Sequence, residues 1–383
     1  MRRLLCWIIA ALALAETAAA QAPNPVLEHY RAYRVALETG DLVAAEAAAE
    51  RAYAASQQRD GEGGRTGVLA LNLAAMRLLR ENPDGARAPA ALALRLAANP
   101  EAAVDPITAA LVLGRAEIGA GAEERQLQSA GARRIRDLLS AAAERPELNG
   151  ETYPAAVALG AWSFANDRFG DAAEAWTVAE HTSDGANADP QFARAYANIG
   201  ITASLVMDAA GRLMRPREVE RAATAISAAI RAYAPHVSEG SHETLGPVHS
   251  AYAQALAWRA ALSAKLRSDE MDIPDEIEGV PAREIGAPAD ARPPCHMRLA
   301  EQPRIRYPQR MQNQSGIGSV ILHIRTDETG RVVTRRVAAA VGASFAQTVD
   351  DLESDWIMER GENSLPGCRA AVSIYQSVVF VIR

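Results

Sequence analysis

Few residues in this chain have a type and spacing that would support chemistry. Cys295, His296 and Cys368 are the most conspicuous. Two thiols and an imidazole suggest a metal or a redox couple. A metal site, however, takes three or four ligands at recognisable spacing, and no C-x-x-C is present. His242-Glu243 lacks the second histidine of a zinc-protease helix, and His249 on the same helical face makes only two ligands. The glycine-rich run from Asp60 to Gly67 has no strand before it and no Lys-Ser/Thr ending, so it reads as an inter-helix loop, not a phosphate cradle. No Gly-x-Ser-x-Gly elbow occurs. Asp350-Asp351 falls on the solvated side of a helix, with nothing apolar nearby to make one of them an acid. The sequence therefore assigns no catalytic, cofactor-binding or metal-binding residue, and predicts a protein that is not an enzyme.

The cysteines take their meaning from the N-terminus. Arg2 and Arg3 precede an apolar run from Leu4 to Ala15, and Ala18-Ala19-Ala20 is a small-residue cleavage site. A membrane-spanning helix needs about 20 apolar residues, and Glu16 ends this run early. Residues 1–20 are predicted to be a cleavable signal peptide, with the mature chain starting near Gln21. Export to the periplasm follows, with no membrane span after cleavage; the alternative is an anchor in the inner membrane facing the periplasm. Two cysteines remain after cleavage. In an oxidising compartment an even pair predicts a Cys295–Cys368 disulfide.

Of the 40 basic residues only Lys265 is lysine, against 47 acidic ones. The first twenty residues carry +1, which leaves −8 on the rest. An acidic chain without a basic run argues against a nucleic-acid partner.

The elements that must position these residues fall into three stretches. Residues 26–268 read as helix throughout, with apolar positions at intervals of three and four and breaks such as Gly40-Asp41 and Asn82-Pro83-Asp84-Gly85. Residues 269–294 read as a linker: five prolines and eight acids against two arginines keep the chain extended. The module after it has a small positive balance, so the linker either stays solvated or folds back onto that module. From residue 295 to 383 the order is helix, strand, strand, helix, strand. Val320, Leu322 and Ile324 face one way, Ile321, His323 and Arg325 the other. Asp327 to Gly330 is a hairpin turn. Phe345, Val349, Leu352 and Trp356 form one helical stripe able to cover a three-stranded antiparallel sheet.

Two resemblances follow. Tyr33-(x6)-Gly40-Asp41-(x3)-Ala45-(x3)-Ala49, and Ser163-(x6)-Gly170-Asp171-(x3)-Ala175-(x3)-Ala179, resemble the tetratricopeptide (TPR) repeat. There a first helix ends at Gly-Asp and a second nests on it through small residues, and Trp162 and Trp176 become core anchors. Over about 304–383, Tyr307-Pro308, Gly318-x-Val320, Asp327-x-x-Gly330-x-Val332 and Trp356 resemble the C-terminal domain of TonB. The fold these imply is mainly α, a TPR-like α-α repeat solenoid, with a small C-terminal α+β domain in which one helix packs on a three-stranded antiparallel sheet. The TonB resemblance implies binding of protein partners, among them an outer-membrane TonB-dependent transporter, by pairing of strand edges. The edge strand expected to do this is the last one, through Ser373, Ile374, Tyr375, Gln376, Ser377, Val378 and Val379. Energy transducers of this family keep a membrane-spanning N-terminus. A cleaved signal makes the expected role a periplasmic adaptor, with a membrane-anchored transducer as the alternative.

Overall fold

The computed structural model describes residues 24–99, 103–121, 123–237, 246–275, 277, 283–284, 292–293, 295–300, 318–350 and 358–380. The expected signal peptide and the motif residues Tyr307, Pro308 and Trp356 lie outside these. The chain divides into two compact units, Met1–Pro190 and Gln191–Arg383.

The first unit holds α1 (Pro25–Thr39), α2 (Leu42–Asp60), α3 (Gly64–Leu79), α4 (Pro83–Ala97), α5 (Pro106–Ile118), α6 (Arg125–Ala143), α7 (Asn149–Ala165) and α8 (Phe169–His181). They form successive helix hairpins, α1–α2, α3–α4, α5–α6 and α7–α8, each packed on the next. The punctuation is local. α1 ends where Gly40 takes φ +74, and the Asp41 side chain caps α2 by accepting from the Ala44 amide at 2.9 Å. Small residues set the close approach. Ala45, Ala48, Ala49 and Ala52 are all buried along one side of α2. A Cβ on Gly131 would stand 2.6 Å from the Gly114 carbonyl, so α5 and α6 meet backbone to backbone.

The second expected repeat breaks elsewhere. Gly170-Asp171 does not form the turn; both residues lie in the first turn of α8. The chain reverses at Asn166–Arg168, with Asp167 at φ +58. Asn and Asp tolerate the left-handed region, so the turn forms without glycine. Asp171 pairs instead with Arg168 at 2.6 Å, next to the positive helix start. Trp176 is buried, its ring filling the space that a Cβ on Gly160 would occupy, whereas Trp162 is half-buried.

The second unit combines α9 (Pro190–Asp208), α10 (Pro216–Tyr233) and α11 (Pro247–Ser268) with β1 (Arg283–Glu284), β2 (Met297–Leu299), β3 (Gly318–Thr326), β4 (Val332–Val341), α12 (Ala343–Asp350), β5 (Met358–Arg360) and β6 (Ser373–Phe380). β6, β3 and β4 form the expected antiparallel three-stranded sheet, and β1 adds two residues outside β6; β2 and β5 make a separate antiparallel pair. Val320, Leu322 and Ile324 share a buried cluster with Phe345 and Val349 of α12. The opposite face of the sheet is covered by α11. β3 is therefore buried on both sides, which explains its run Val320-Ile321-Leu322 where a one-sided strand would alternate.

Candidate functional site

The C-terminal sheet carries most of the residues singled out from sequence, and its construction begins at the turn. Asp327 Oδ1 accepts from the Thr329 amide at 2.9 Å, the Arg331 amide at 3.0 Å and the Thr329 hydroxyl at 2.6 Å. These bonds, the hydroxyl first, hold its carboxyl below the usual range. Gly330 takes φ +84, and the chain returns as β4 from Val332. Gly318 is where α12 presses on the strand: a Cβ there would stand 2.1 Å from the Phe345 ring. Val320 is wholly buried in the cluster with Phe345.

The α11 face is polar where it meets the sheet. Ser319 donates to the Ala257 carbonyl at 2.6 Å, and the Tyr375 hydroxyl meets His249 Nδ1 at 3.1 Å. Burial pushes the Tyr375 hydroxyl pKa upward. His323 Nε2 lies 2.8 Å from Ser373 Oγ, and Arg336 Nε donates to His323 Nδ1 at 3.3 Å. A guanidinium only donates, so Nδ1 is the accepting nitrogen, and the ring proton sits on Nε2 facing Ser373. His323 therefore donates to the serine and is not placed to take its proton. The arrangement ties side chains of β3, β4 and β6 together in a buried seam.

Cys295 and Cys368 are joined, with sulfurs 1.99 Å and Cα atoms 4.9 Å apart. Around the bond the Cys295 amide donates to the Arg369 carbonyl at 2.8 Å, and the Arg369 amide to the Pro293 carbonyl at 2.9 Å. Gly361 donates to the His296 carbonyl at 2.6 Å, so His296 contributes its backbone there. Among the described residues no three His, Cys, Asp or Glu side chains are grouped as metal ligands, and no helix is long and apolar enough to cross a membrane.

The sheet edges differ from expectation. The last strand is not a bare border. β6 pairs with β3 along Ser373–Phe380, and on its other side Ile374 and Tyr375 are taken by Glu284 and Arg283. The side chains of Ser373, Ile374 and Tyr375 are buried; Gln376, Ser377 and Val378 are half-buried and Val379 is exposed. The linker is thus fastened at two points, not extended throughout: Ile277 is fully buried and residues 283–284 lie in the sheet; Cys295, the residue that follows it, is covalently tied. The long one-sided border belongs to β4. Eight of its ten residues pair with β3 on one side, Val333 and Ala338 standing at two irregularities in the register, and among the described residues no strand pairs on the other. Val333 on it is 56% exposed. Sequence reasoning missed this edge because hairpin strands give no clue to which neighbour each takes. No family model matches the chain, and no curated protein matches it.

Proposed function

We propose that the protein is an adaptor of the bacterial periplasm whose C-terminal sheet takes an extended segment of a partner protein as an added strand. The observation that carries the proposal is the border of β4, a ten-residue strand of which eight residues pair with β3 and which, among the described residues, has no strand on its other side. Such a border presents a row of unpaired N–H and C=O groups, and an incoming strand satisfies them while side-chain pockets set specificity. Arg331, Arg335 and Arg336 lie on or beside this strand. Like charge keeps two copies of the edge apart and selects an acidic partner segment. The helix hairpins of the first unit support a scaffold role of the TPR kind, and the TonB resemblance supports an outer-membrane transporter as the partner.

The test places a photo-crosslinker at Val333 and, separately, at Val379 in intact cells, with the adduct mapped by mass spectrometry. The Val333 probe is expected to reach an extended, acidic segment of an envelope protein, and a second substitution, Arg335→Pro, which removes an amide that alternation turns away from β3, to abolish the adduct while circular dichroism stays unchanged. An adduct that survives Arg335→Pro, or one that forms only from Val379, rules out β4 as the binding edge.

A further inference from the structure

We infer that the second unit carries another binding groove, between α10 and the turn that follows α11, and that it takes a basic peptide segment of a partner. The groove has a volume of about 540 Å³, within the range of natural ligand pockets. Val219, Ala223 and Met271 form an apolar floor, and Glu220, Glu270 and Asp272 stand around it. All three carboxylates are exposed, and among the described residues none has an ion-pair partner.

Its wall is held in place before any ligand arrives. Lys265 Nζ donates to the Arg212 carbonyl at 2.8 Å and to Asp269 Oδ2 at 2.7 Å; Asp269 Oδ2 also accepts from the Met214 amide at 3.3 Å. The Met271 amide donates to the Leu266 carbonyl at 3.0 Å, and Glu270 takes φ +55. The chain end of α11 is thereby locked against the α9–α10 connection, and Glu270, Met271 and Asp272 are presented on a fixed turn. A preformed wall reduces the ordering cost of binding.

The occupant follows from charge. Three carboxylates without an ion-pair partner among the described residues, over an apolar floor, match an arginine or lysine whose neighbours are apolar, its stem lying on the floor and its head at the rim. The chain's own next residues do not match. Asp275, Glu276 and Glu278 repeat the groove's sign, no cation occurs from 271 to 282, and Arg283 is committed to β1. The arginine-bearing border of β4 repels the same peptide, so the two surfaces select opposite partners.

The experiment titrates the full-length exported chain with a fluorescent nonapeptide of alternating arginine and leucine. A glutamate–leucine peptide of the same length is the control. Saturable binding is expected for the arginine peptide and not for the control, weakening about tenfold or more in the triple variant Glu220→Gln/Glu270→Gln/Asp272→Asn. A similar loss is expected in Thr224→Arg, which keeps the carboxylates and puts a cation in the groove. Raising salt from about 50 to about 500 mM should weaken binding as well. Absence of binding, equal affinity for wild type and both variants, or equal binding of the glutamate peptide overturns the inference. Arg335→Pro leaves this binding unchanged, so its failure is distinguishable from failure of the strand-addition reading.

Discussion

Glu218 shows what a single side chain contributes here. Its carboxylate accepts from Arg212 Nη1 at 2.8 Å and Nη2 at 3.0 Å, from the Arg215 amide at 2.8 Å and from Arg215 Nε at 2.8 Å. The Arg212 hydrogen bonds lead in holding its pKa down, to about 2. The folded value lies below the unfolded one, so the stabilisation is complete above the ordinary carboxylate range of roughly 4.3 and is lost as pH falls toward about 2. Glu218→Gln is expected to cost about 1.5–3 kcal/mol at neutral pH and to flatten the acid side of the stability curve. Urea midpoints at several pH values between those limits measure it, and an unchanged slope counts against the account. Residue-scale signals of this kind were unevenly legible. Gly40-Asp41 gave both a chain reversal and a cap, because its glycine needs a positive φ and its aspartate an amide to accept from. Gly170-Asp171 has the same two letters inside a helix, since Asn166 and Asp167 had already turned the chain.

At the scale of elements, α11 changes how the C-terminal module is understood. Its buried residues include His249, Tyr252, Ala253, Leu256, Trp258, Ala260, Leu262 and Leu266, which lie all around the helix. A helix apolar on every side is enclosed. One side meets α10, another the sheet. The sequence put the end of the helical region at 268 and began an independent module at 295. The strands, the hairpin turn and the first half of the α12 stripe, Phe345 and Val349, were legible because their periods are two and 3.6; Leu352 and Trp356 lie outside the described residues. β1, β2 and β5 were not, because two or three residues define no period, and the docking of α11 was not, because small alanines look alike on any face. A fragment starting at residue 269 therefore bares the α11 side of the sheet, including Ser319, Ile321, His323 and Tyr375. It is expected to bind a hydrophobic dye and lack a cooperative melt, whereas a fragment of 191–383 melts cooperatively. A cooperative, dye-silent 269–383 fragment would show that α11 is dispensable.

For the whole molecule, the Cys295–Cys368 bond links the border of the sheet to the stability of one unit. The bond closes a loop with a sequence separation of 73, and restricting so long a loop in the unfolded chain contributes roughly 4 kcal/mol as an upper figure. Both cysteines are buried, and β1 lies eleven positions before Cys295, held to β6 by pairs at only two residues. Two residues of strand are too little to stay paired on their own. The covalent tie at Cys295 and the burial of Ile277 keep them near the edge by limiting how far the segment can stray. Cys295→Ser/Cys368→Ser is therefore expected to act on the two units differently. The melt of 191–383 shifts down, the melt of 1–190 stays in place, and amide exchange quickens first at Arg283, Glu284, Ile374 and Tyr375. Hydrogen exchange read by mass spectrometry, with calorimetry for the two melts, distinguishes this from general loosening. If both melts move together, or exchange at the β1–β6 pairs is unaltered, the bond stabilises the fold without holding the strap, and the half-covered edge of β6 has some other cause.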